Sequence, residues 1–142
     1  MGMATELLIA TVMVLLTVGF HGFGLIGLQR ILRIERREEH AEHTGALSAR
    51  GITATFMLVL GLFVLHGIEI WTYALLYLGL DALPDLRTAV YFSTITYSTI
   101  GYDDEGIAQA WSLIAAIEGI NGILLMGWST AYFVSIMGRL GR

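Results

Sequence analysis

Cysteine and lysine are both missing from this 142-residue chain. Without cysteine there is no disulfide framework and no thiolate metal site, and the redox character of the compartment leaves no mark. All 8 basic residues are arginine, and proline occurs once, at Pro84. Charge is scarce: charged residues make up 14% and the net charge is −4. That balance does not suggest a nucleic-acid partner. No nucleophile–base pair and no phosphate loop is visible, so an enzyme is not expected. Apolar residues are what the chain has in plenty, at 56%. A single soluble domain of this length could not hide that much apolar surface, whereas a bilayer can. No arginine or lysine precedes the first long apolar run. The basic n-region of a secretory signal is therefore missing, and the run is expected to stay as a membrane segment.

The apolar runs come in order. Residues 7–28 form the first, about 22 residues and roughly 33 Å of helix, enough for a hydrocarbon core of about 30 Å. Gly19, Gly22, Gly24 and Gly27 lie in its second half. They either let another helix approach closely or are simply tolerated. Residues 29–50 are the strongly polar segment, with Arg30, Arg33, Arg36, Arg37 and Arg50 against Glu35, Glu38, Glu39 and Glu42. Most of it reads as a helix continuing into water until Thr44-Gly45 breaks the pattern. His40 and His43, with Glu39 beside them, read either as a metal-binding or pH-sensing pair, for which no third strong ligand is obvious, or as part of a solvated charged face. Residues 52–80 are the second run, long enough to tilt or project. His66 and Glu69 stand one helical turn apart inside it. They read as a proton-sensitive pair, as a brace for the re-entrant segment, or as a structural hydrogen-bonded pair near the outer interface. Trp71, Tyr73 and Tyr77 nearby suggest an interfacial aromatic belt. Pro84 fits the first turn of a helix and Asp85 favours its positive end. From there to Ser98 is about 14 residues, roughly 21 Å, too short to cross a bilayer. A short helix with a non-helical return is a re-entrant loop. Residues 107–140 form the last run, interrupted by Glu118 and Asn121. Arginine clusters in 29–50 and at Arg139 and Arg142, with only Arg87 in the loop. The positive-inside rule then sets the N-terminus outside, the linker inside, the loop outside and the C-terminus inside. No arginine repeat lies within a span, so steep voltage sensing is not expected.

The chemically distinctive stretch comes after the short helix: Thr96-Tyr97-Ser98-Thr99-Ile100-Gly101-Tyr102-Asp103-Asp104. It resembles the selectivity filter of the tetrameric potassium channels, whose pattern is Thr-x-x-Thr-x-Gly-Tyr-Gly-Asp. Thr96, Thr99, Gly101, Tyr102 and Asp104 match. Asp103 stands where the family has its second filter glycine. The resemblance covers the chain from the second run onward. It implies an all-α membrane protein of three transmembrane helices, with a re-entrant pore helix and filter loop between the second and third. It also implies assembly as a homotetramer within membrane lipid. The expected division is residues 1–28 as an N-terminal transmembrane helix, 29–50 as a cytoplasmic linker and 51–142 as the pore domain. Within that domain fall an outer helix at 52–80, a pore helix at 85–98, a filter at 99–103 and an inner helix at 107–140.

The resemblance further implies K+ as permeant ligand and no other cofactor. Backbone carbonyls of Thr99, Ile100, Gly101 and Tyr102 would replace the ion's hydration shell. Tyr91 and Phe92 fall where the family packs aromatics behind the filter, and Tyr91 could hydrogen-bond Tyr102 or Asp104 of a neighbouring strand. Asp103 tolerates a positive φ better than most residues. With Asp104 and Glu105 it would make an acidic rim that gathers cations. Gly122 is either a hinge or a packing contact in the inner helix. Glu118, one turn earlier, either faces the pore helix or holds cations in a cavity. Ser129 and Thr130 are cavity or helix-contact candidates. Gating is expected from the inner helix, filter, linker or another protein. Two other readings stand beside a potassium channel: a cation channel passing Na+ as well as K+, because of Asp103, and a non-conducting membrane subunit.

Overall fold

A computed structural model describes residues 2–37, 49–101, 107 and 109–140. Among them all regular structure is helical: α1 (Met3–Arg37), α2 (Ala49–Gly79), α3 (Leu86–Tyr97) and α4 (Ser112–Leu140), the last entered through a 3-10 turn at Gln109–Trp111. Three of these helices hold apolar stretches of 30, 29 and 27 residues: Met3–Leu32, Gly51–Gly79 and Ser112–Gly138. Each exceeds the roughly 20 residues that a hydrocarbon core requires. The protein is therefore an all-α, multi-pass membrane protein. α1 continues to Arg37, into the polar segment, as its unbroken run of helix formers permits. His40 and His43 lie outside the described residues.

α2 ends where Asp81 takes φ 51, and the Ala82 amide closes back on the Tyr77 carbonyl at 2.9 Å. α3 begins with a side-chain cap. Asp85, with φ −156 and ψ 163, accepts the Thr88 amide; that bond is 3.0 Å long, and the Thr88 hydroxyl adds a second at 2.7 Å. The cap corrects the sequence expectation for Pro84, which sits before Asp85 and outside the first turn. The Asp85 carboxylate takes the Thr88 amide, which makes Asp85 the boundary residue. α3 has 12 residues, about 18 Å of helix, and cannot cross a bilayer.

α2 and α4 each pack against both α1 and α3. α1 and α2 run antiparallel and interlock through a reciprocal pair of small and large residues. A Cβ on Gly24 would stand 2.5 Å from Leu65 Cδ1, and one on Gly61 would stand 2.3 Å from Leu28 Cδ2. Side-chain size at these two positions therefore fixes how far the helices slide.

Two apolar clusters fill the bundle. One gathers Ala10, Met13, Tyr73, Tyr77, Ala89, Phe92, Trp111 and Ile114 around α3. The other gathers Leu25, Leu58, Leu62, Leu65 and Ile136. Between them in register lies a buried polar layer: Thr17, His21, Glu69, Ser93, Glu118, Asn121 and Ser129. All four helices contribute to it. Polar groups at that depth have no water to turn to, so each needs a protein partner.

Candidate functional site

The polar layer surrounds the C-terminal end of α3. There the helix stops and the chain turns sharply. The Ser98 amide still bonds the Thr94 carbonyl at 3.1 Å, and the Thr99 amide bonds Thr96 at 3.0 Å. The amides of Ile100 and Gly101 then both return to one acceptor, the Ile95 carbonyl, at 2.8 and 3.0 Å. Thr99 has φ 60 and Gly101 φ 59, while Ile100 between them is not in the positive region. A positive φ is ordinary for glycine but strained for a β-branched threonine, and such strain persists only where the surroundings hold it.

This turn orients the next peptide units. In a planar trans peptide the carbonyl points opposite to the following amide. The amides of Ile100 and Gly101 face the end of α3, so the carbonyls of Thr99 and Ile100 both face away from it. Alternating backbone hand turns successive N–H groups to one side, and here they converge on the Ile95 carbonyl. The side chains of Thr99 and Ile100 are exposed. Tyr102, Asp103, Asp104 and Glu105 lie outside the described residues.

Three bonded sets tie the helices together here, and the first two reach α3, at Tyr97 and Ser93. Glu69, fully buried on α2, is the centre of the first. His21 Nδ1 of α1 lies 2.9 Å from Oε1, and His66 Nδ1 lies 3.2 Å from Oε2. The Tyr97 hydroxyl of α3 donates to Oε2, and its oxygen is 2.9 Å from His66 Nδ1. In the second set Glu118 of α4 faces α3 and α2. The Tyr77 hydroxyl donates to Oε2 at 2.5 Å, and Ser93 Oγ lies 2.5 Å from Oε1. In the third, Asn121 Nδ2 donates to Thr17 Oγ1 at 2.8 Å and to the Tyr73 hydroxyl at 3.3 Å. An unpaired buried carboxylate would cost several kcal/mol, roughly, so these partners are a condition of the fold.

Glycines bring α4 against the same helix end. A Cβ on Gly119 would meet the Thr96 carbonyl oxygen at 3.4 Å, and one on Gly122 would meet that of Tyr97 at 2.1 Å. Gly122 is thus a close contact between the last helix and the last turn of α3. Phe92 is buried and meets Tyr77 edge-on, with ring centroids 5.4 Å apart. Tyr91 is exposed, and Thr96 is half-buried. Ser129 is buried beside His21, with Oγ 3.3 Å from Nε2. Thr130 is exposed and bonds the Met126 carbonyl at 2.9 Å.

Sequence reading singled out Glu69, His66, Glu118 and Gly122 but passed over His21 and Thr17. His21 carried a usable signal: an ionisable side chain deep within an apolar run marks a buried polar partner or a site. The cross-helix pairs themselves carried none, because register between helices is not written in either helix alone. Among the described residues, His21, His66 and Glu69 are also the group whose ligand atoms converge closely enough to hold a metal ion.

A family model described as ion channel matches residues 52–139. No curated protein matches the chain, and no solved structure does.

Proposed function

This chain belongs to the ion channel family, and from that premise we propose that it is a potassium channel. Its filter is formed by four identical subunits around a symmetry axis. The observation that carries the proposal is the end of α3, where the Thr99 and Ile100 carbonyls turn together away from the helix. Arranged about an axis, such carbonyls form rings of oxygen ligands that take the place of water around K+. In this reading Thr99, Ile100, Gly101 and Tyr102 supply the ion sites. Asp103, Asp104 and Glu105 form an acidic mouth that concentrates cations. Glu69, Glu118 and Gly122 fix the pore helix from behind, and Thr96, Tyr91 and Phe92 support the filter and its mouth. The N-terminus is outside and the C-terminus cytoplasmic, which brings the filter loop in from the outer face.

Flux into liposomes containing only this protein tests the proposal, in K+ and Na+ gradients, for the native chain and Asp103→Gly. K+-selective flux from the native chain is the expected result. Passage of both ions, narrowed to K+ by Asp103→Gly, would make it a non-selective cation channel with selectivity lost at that residue. Silence from both chains would favour a non-conducting subunit or an unmet gating stimulus.

A further inference from the structure

Glu69 lies between the two histidines of the polar layer. One ligand atom from each of His21, His66 and Glu69 lies within 4.8 Å of those of the others. A tetrahedral ion with bonds of about 2.0–2.1 Å sets its ligand atoms about 3.3 Å apart. The two nitrogen–oxygen approaches, 2.9 Å from His21 to Oε1 and 3.2 Å from His66 to Oε2, stand near that spacing, each to a different oxygen of Glu69. The largest remaining gap needs to close by at most about 1.5 Å to reach it. Two imidazoles and a carboxylate suit a borderline transition ion rather than Mg2+ or Ca2+, and the chain has no thiolate to favour Cu(I). A set of two histidines and one carboxylate leaves a fourth position open, and the Tyr97 hydroxyl borders it.

The surroundings fit as well. When Nδ1 of His21 carries a metal, its proton moves to Nε2 and needs an acceptor. Ser129 Oγ is 3.3 Å from that nitrogen, and the Trp128 ring lies beside the imidazole, tilted by 42°, with centroids 5.2 Å apart. The His21 and Glu69 side chains are fully buried, while that of His66 is 18% exposed, so His66 is the ligand at the edge of the protomer. We propose that His21, His66 and Glu69 bind a divalent transition-metal ion of the zinc type, which ties α1 to α2 beside the end of α3. The proposal does not depend on which ion the protein conducts.

Co2+ titration of the chelator-stripped, detergent-solubilised full chain tests it. The native protein should bind one Co2+ per chain with the intense visible absorption of a tetrahedral site, and Zn2+ should abolish that signal. His40→Ala/His43→Ala should leave it intact, because those histidines are the competing ligands elsewhere in the sequence. His21→Ala and His66→Ala should lose it, and Ser129→Ala should weaken binding about 10-fold or more. A weak octahedral spectrum from the native chain would overturn the proposal, as would a signal that tracks His40 and His43. If His21→Ala does not fold, the native spectrum and the Ser129→Ala affinity decide alone: normal affinity in Ser129→Ala would count against the site.

Discussion

Ser93 carries a single hydroxyl proton and has two oxygens within reach, Glu118 Oε1 at 2.5 Å and the Ile70 carbonyl at 2.9 Å. A glutamine at 118 would suit this arrangement. Its N–H can donate to Ser93 while its oxygen accepts from Tyr77. Glu118→Gln is therefore expected to unfold in detergent close to the native temperature. Glu118→Ala strands the buried Tyr77 hydroxyl and should lose about 1–3 kcal/mol. Equal losses in the two variants would show that the hydrogen bonds are not what holds this position. Gly122 gives a second prediction. The atom that a Cβ would meet there is backbone, the Tyr97 carbonyl oxygen at 2.1 Å, with its carbon at 2.9 Å. Gly122→Ala must push α3 and α4 apart and should cost about 1–3 kcal/mol, with flux falling alongside. Native stability together with native flux would mean that the contact is slack. The sequence presented Gly122 as hinge or contact without distinguishing them, since either use needs only a missing side chain. It presented Glu69 and Glu118 clearly, because an ionisable group in an apolar span stands out. His21 stood out by the same rule, yet its importance rests on Glu69, 48 positions away.

At the scale of elements, the long runs and the short helix between them were readable from length alone, since about 20 apolar residues cross a bilayer and about 12 do not. What length does not give is the exact start of α3, which the Asp85 side chain decides. That cap is also a titrating group. The Thr88 amide, and after it the Thr88 hydroxyl, hold the Asp85 carboxyl below its ordinary value of 3.8. A carboxyl lowered in the folded state stabilises it fully above the ordinary value and ceases to as pH falls through the lowered one. Asparagine caps equally well and does not titrate. The gap in unfolding temperature between native protein and Asp85→Asn should thus be constant above about pH 4 and shift in favour of the variant below it. A gap that ignores pH would mean that the cap is not formed in the membrane-embedded protein. The end of α3 was legible as a pattern of residue types, but not its geometry. The shared Ile95 acceptor and the positive φ of Thr99 depend on how α2 and α4 clamp the helix end.

For the whole molecule, little of each span is covered by its own protomer: 17%, 22% and 28% of an 18-residue apolar window in α1, α2 and α4 is buried. Lipid or other copies must cover the remainder. Native mass spectrometry from gentle detergent is expected to show complexes of four 15.6 kDa chains. A population of monomers and dimers alone would remove the ring on which the conduction proposal depends. The region shared with the ion channel family begins at residue 52, beyond α1. Yet α1 is not separable from α2 and α4. Thr17 and His21 partner Asn121, Glu69 and Ser129, and these are residues of the shared region. Without α1 the side chains at 69, 121 and 129 would each lose one partner and keep only those on α2, α3 and α4, at a cost of roughly 1–3 kcal/mol for each polar atom left unsatisfied. Cutting the chain before residue 52 would thus not release a smaller finished unit: Glu69, Asn121 and Ser129 would each be left one partner short, with the gap facing lipid.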